Sequence, residues 1–247
     1  MTPNAAPTVL ARLATRFLSV VVALAATMVP ALAGDRAAID LIGYSEDGRY
    51  FAFEEFGVQD GSGFAYSAIY LIDLENDRWV AGTPIKVQAD NEELSLHAIR
   101  GQAMEQFAPL GDKHAIREPA EFLAVIGDGV PEVDGSALRF AAVGYSGPGS
   151  VQGDHQLTLE TFPLPSAQCQ GYTDNEILGF ALSLDGKELQ RDTRLPSSRG
   201  CALAYRIYGV AAPFPGWSVE NGVALISVYP FGFEGPDRRF LAVPLGQ

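Results

Sequence analysis

Residues 38–79 read AIDLIGYSEDGRYFAFEEFGVQDGSGFAYSAIYLIDLENDRW, and the fold class follows from how this stretch alternates between apolar runs and turn residues. Two apolar runs, 39–44 and 50–56, flank Ser45-Glu46-Asp47-Gly48. Asp47-Gly48 supplies the positive-φ residues that a tight antiparallel turn requires, so the two runs are expected to form a hairpin. A third run, 68–74, follows a glycine-rich loop at 57–63, and Glu75-Asn76-Asp77 then turns the chain into Arg78-Trp79-Val80. The unit is an antiparallel meander. Along 50–53 and 69–72 both faces of the pleat carry apolar or aromatic side chains, so these strands need cover on both sides.

The chain opens differently. Arg12 and Arg16 precede an apolar run at 17–29, and Ala31-Leu32-Ala33 forms an A-x-A cleavage site before Gly34. That pattern reads as a signal peptide at 1–33, cleaved on export to the periplasm or beyond. The apolar run falls short of the roughly 20 residues a membrane-spanning helix needs, and no later run approaches that length, so no transmembrane anchor is expected after cleavage. Residues 34–247 suffice for a single antiparallel β-rich domain with its own core. A formal net charge of −13 works against binding nucleic acid or anionic lipid, both of which call for a basic surface. In an exported chain the two cysteines, Cys169 and Cys201, read as a structural disulfide; neither sits in a CxxC motif.

Beyond the first meander, Asp90 is placed as an N-cap with Glu93 three residues on, and Leu96, Ile99, Ala103 and Phe107 recur at helical spacing before Pro109. One helix is therefore expected over 91–108, covering an apolar sheet face or edge. Short strands are expected at 121–126, 137–145, 156–162, 177–184, 187–191, 202–211, 222–229 and 238–244, with Asp185-Gly186 marking another tight hairpin. No βαβ alternation appears, so the class is mainly β, with antiparallel meanders forming a sandwich, an irregular barrel or a propeller-like assembly. Three segments share a plan of apolar strand, glycine loop and second strand: 50–56 with 68–74, 137–145 with 156–164, and 223–229 with 238–245.

The order of Ser-x-Asp-Gly, Arg49-Tyr50-Phe51-Ala52-Phe53, loop, and Ile69-Tyr70-Leu71-Ile72-Asp73-Leu74 resembles one blade of the TolB-type propeller repeats. Over its whole length the chain also resembles an uncharacterised family of predicted secreted bacterial proteins. Leu184-Asp185-Gly186-Lys187, Ser198-Arg199-Gly200-Cys201, Tyr205-Arg206-Ile207 and Glu234-Gly235-Pro236-Asp237-Arg238-Arg239-Phe240 carry that second resemblance. It implies a location and no activity.

Signatures of chemistry are sparse. Gly144-Tyr145-Ser146-Gly147-Pro148 breaks the nucleophile-elbow pattern at its last position, and three histidines, His97, His114 and His155, are available to a triad assembled from distant positions. Their spacing matches no zinc array, and the turns Asp60-Gly61, Gly127-Asp128-Gly129 and Asp134-Gly135 lack the ladder of a calcium loop. Gly147-Pro148-Gly149 lies between two strands, where a phosphate finds no helix N-terminus, so no cofactor is expected. The acid pairs Glu54-Glu55 and Glu92-Glu93 read as solvated faces. Aromatic residues gather with glycine, proline and arginine around Trp217 and at Phe231, Phe233, Arg238 and Arg239, the composition of a recognition loop. Those arginines are equally suited to pairing with the chain's own carboxylates. The function expected is non-catalytic binding of a protein or envelope component; the alternative is a secreted hydrolase built from dispersed histidines and acids.

Overall fold

The computed structural model describes residues 34–246; the expected signal segment lies outside the described residues. In chain order the elements are β1 (Ala38–Ser45), β2 (Tyr50–Val58), β3 (Ala65–Asp73), β4 (Arg78–Trp79), β5 (Ile85–Gln88), α1 (Leu96–Lys113), β6 (Ile116–Glu118) and β7 (Ala120–Val125). There follow β8 (Ala137–Val143), β9 (Val151–Pro163), β10 (Leu178–Leu184), β11 (Lys187–Arg191), β12 (Ala202–Pro213), β13 (Val223–Pro230) and β14 (Arg239–Pro244). The strands pair antiparallel in three sheets. The first runs β4-β3-β2-β1-β6, with β5 also on β3; the second runs β14-β13-β12-β7; the third runs β11-β10-β9-β8.

The period of two along each strand decides how these sheets stack. Phe51 and Phe53 of β2 and Tyr66, Tyr70 and Ile72 of β3 share a core with Val223 and Leu225 of β13, so the first sheet packs on the second. The intervening residues Ala224 and Ile226 point the other way, into a core with Phe140, Leu157, Phe180 and Leu182 of the third sheet. Ala52, Ile69 and Leu71 emerge on the outer face of the first sheet and meet Ala103 and Phe107 of α1. The layers are thus helix, sheet, sheet, sheet. The second sheet, covered on both faces, is the centre of a β sandwich, and the described residues contain no closed barrel. All nine residues of β3 are buried, as two-sided apolar patterning requires. Each of the three strand–glycine loop–strand segments supplies one hairpin to a different sheet: β2 with β3, β8 with β9, β13 with β14. Strands β1 to β4 form an antiparallel meander that β5 and β6 widen, and the sheets stack in layers.

Three local expectations are corrected. At the first hairpin only Gly48 takes positive φ, 70°; Asp47 instead accepts from the Ser45 hydroxyl and the Arg49 amide, making a four-residue turn. Asp185 and Gly186, at 52° and 82°, do form the two-residue turn with both φ positive. The helix begins later, because Asn91 captures the Glu93 amide in a local turn and Ser95 takes over the capping, accepting from Ala98 at 3.2 Å. It also runs through Pro109, on the exposed face, where water can reach the carbonyl that loses its donor. Finally, Glu54 and Glu55 are both buried. They point to opposite covered faces. Glu54 accepts from Ser67 and is gripped by Arg100 of α1 at 2.7 Å, tying the helix to the sheet.

Candidate functional site

The expected recognition residues do not come together. Trp217 sits on the loop entering β13 and Phe231 and Phe233 on the loop leaving it, so a strand of about 25 Å separates them. At the entering end, Trp217 meets Tyr145 edge to face with ring centroids 6.1 Å apart. Gly216 ties this loop to β8, its carbonyl accepting from the Val143 amide at 2.9 Å, and Val143 pairs with Val151 across the β8–β9 hairpin. Phe214 lies on the same loop as Trp217. Tyr145 is 77% exposed, Val151 68%, Phe214 58% and Trp217 55%. Gly216 is required here: its φ is +71°, and a Cβ would lie 2.3 Å from the Glu121 carboxylate beneath it and 2.8 Å from Leu123. Sequence composition does not single out Tyr145, although an aromatic in a glycine-rich loop is the same signature that marks 231–239.

At the leaving end, Phe233 is 97% exposed while the two arginines turn inward. Arg238 donates to the Ala37 carbonyl at 2.9 and 2.7 Å and to Asp128 at 2.6 Å. Tyr229 donates to the same Asp128 carboxylate. Burial alone would raise Asp128, but the bonds from Tyr229 and Arg238, with the charge of Arg238, outweigh it and hold the carboxyl below its ordinary range. Burial, with that carboxylate beside it, pushes the Tyr229 hydroxyl up to about 12. Arg239 donates to Asp35 at 2.7 Å, and Tyr66 donates to the same acid at 2.9 Å. The arginines therefore latch residues 35–37 onto the start of β14. Deeper between the first two sheets, Glu55 accepts from the Tyr70 hydroxyl at 2.8 Å and the Phe240 amide at 3.0 Å; burial raises its carboxyl above the usual range.

The histidines stand on separate elements. His97 and His114 lie at opposite ends of α1, about 25 Å apart along its axis. His114 packs edge-on against Tyr50, and burial with Lys113 nearby lowers it. His155, on β9, pairs with Asp185 at 2.8 Å across the second hairpin turn. Cys169 and Cys201 are bonded, with Cα atoms 5.6 Å apart, closing a loop whose Arg199 is buried against Asp192. No helix among the described residues is long and apolar enough to cross a membrane.

Fold and surface define a layered antiparallel β protein with an aromatic patch on one end and a cross-linked loop flanking its central sheet. A family model described as Predicted secreted protein (DUF2259) matches residues 52–245, most of the chain, and the chain belongs to that family. No curated protein and no solved structure matches it.

Proposed function

We propose that the protein is a periplasmic or secreted binding module, without chemistry of its own, that captures a protein or other envelope component through Phe214, Trp217, Tyr145 and Val151. One observation carries this reading: Tyr145 and Trp217, both more than half exposed, meet edge to face, with Phe214 and Val151 also more than half exposed on the segments that the Val143–Gly216 backbone hydrogen bond joins. An exposed apolar group of this kind is characteristic of interaction sites, and tryptophan and tyrosine dominate the energetics of such contacts. The hydrolase alternative would have to be built on His155, which pairs with Asp185, since His97, His114 and His155 stand on separate elements.

The test is crosslinked capture from intact envelopes with tagged mature protein, comparing the wild type with the double variant Tyr145→Ala, Trp217→Ala. Loss of the captured component at an unchanged melting temperature is the expected outcome. Undiminished capture, or a hydrolytic activity that disappears with His155→Ala, refutes the reading.

A further inference from the structure

The central sheet is covered on both faces, so its unpaired backbone lies at its two edge strands, β7 and β14. In an antiparallel pair, backbone groups point alternately toward the partner strand and away from it. Those of Arg238 point away: its amide donates to the Asp35 carbonyl at 2.7 Å and its carbonyl accepts from Ala37 at 3.3 Å. Phe240, two residues on, donates outward to the Glu55 carboxylate at 3.0 Å. By the same alternation Ala242 also faces outward. Its N–H and C=O, and the C=O of Phe240, have no protein partner among the described residues, and Pro244 has no N–H to offer.

Two adjoining hollows of about 240 and about 300 Å3 run along this open stretch, sharing Trp79 from the first sheet and Ser198 and Arg199 from the disulfide loop. Ala242 lines the first of them. In a chain of net charge −13, the exposed charged side chains lining these hollows are two cations, Arg78 and Lys86, and one acid, Asp77. Among the described residues Arg78 pairs only with Asp73, at 3.8 Å, which Arg49 already holds at 3.2 Å. Lys86 makes no ion pair among the described residues. The other acid lining these hollows, Glu55, is buried, and burial raises its carboxyl above the usual range.

We infer that β14 accepts a fifth strand: an extended segment of a partner polypeptide, carrying acidic side chains, adds at Ala242 between Trp79 and Arg199. Its backbone takes up the three free groups of Phe240 and Ala242, and its carboxylates meet Arg78 and Lys86. This site lies on the edge of the central sheet opposite β7 and is independent of the aromatic patch.

Fluorescence anisotropy with labelled hexapeptides tests it on the mature protein. An alternating glutamate–valine peptide should bind saturably, whereas its lysine–valine counterpart and a version N-methylated at alternate residues should not. Ala242→Pro removes the outward N–H while sparing the ladder to β13, and should weaken binding about tenfold, the worth of a lost hydrogen bond and its imperfect replacement. Arg78→Glu with Lys86→Glu, both exposed, should do the same with the circular dichroism spectrum unchanged; Tyr145→Ala with Trp217→Ala should bind the peptide normally. Absence of saturable binding, equal binding of the N-methylated peptide, or full binding by the charge-reversed variant overturns the inference, even if Ala242→Pro fails to fold. Sedimentation showing a dimer that Ala242→Pro abolishes would assign the edge to a second copy of this chain and equally overturn it.

Discussion

Arg238→Ala should destabilise the protein substantially, although the residue belongs to a loop whose tip, Phe233, is almost wholly exposed. The Arg238 side chain is 15% exposed and its partner Asp128 13%. Truncation strands the Asp128 carboxylate, leaves the Ala37 carbonyl without two donors, and loosens residues 35–37 at the start of β14. Removing one member of a fully buried pair costs about 3–5 kcal/mol. Asp128 keeps the Tyr229 hydroxyl and some access to water, which lowers the expectation to about 2–4 kcal/mol. For a domain of this size that corresponds to a fall in melting temperature of roughly 5–15 °C. Phe233→Ala, by contrast, should stay within about 0.5 kcal/mol of the wild type. Chemical denaturation of both variants, followed by fluorescence, separates the cases. An Arg238→Ala variant as stable as Phe233→Ala would show that the latch does not hold and that both residues belong to an open surface loop.

Cys201→Ser opens a loop with a sequence separation of 32 residues, so chain entropy predicts a loss of roughly 3–4 kcal/mol; equal melting of oxidised and reduced wild type would contradict this. Because the Asp128 carboxyl lies below its ordinary range in the fold, its stabilising contribution is complete above the unfolded pKa and is lost as pH falls through the lower folded value. The stability gap between wild type and Asp128→Asn should therefore close on acidification below about pH 4, and a gap independent of pH would refute the assignment. Gly216→Ala, forced to φ +71° with a Cβ against Glu121 and Leu123, should cost about 1–2 kcal/mol and weaken capture by the aromatic patch; an unchanged melting curve with full capture would mean that the loop relaxes freely.

The elements themselves are legible in the sequence because their causes are local. Alternating apolar residues, the turn at Asp185-Gly186, the helical stripe of Ile99, Ala103 and Phe107, and the two-sided burial of β3 all follow from side-chain period and backbone preference over a few residues. The helix start is misplaced and the positive φ expected at Asp47 is absent because the side chains of Asn91 and Ser45 offer competing hydrogen bonds that propensity does not weigh. Pairing between distant segments is decided only by tertiary structure. That β7 joins β12, that Glu54 and Glu55 each find a covered face, and that Arg238 and Arg239 reach back some two hundred residues to Ala37 and Asp35 depend on how three sheets stack. The same stacking sets Trp217 beside Tyr145 and a strand's length from Phe233. Composition marks aromatic loops as candidates for recognition, but whether a ring or a guanidinium faces solvent is settled by the burial that the neighbouring layer imposes, and that layer is built from residues far away in the chain.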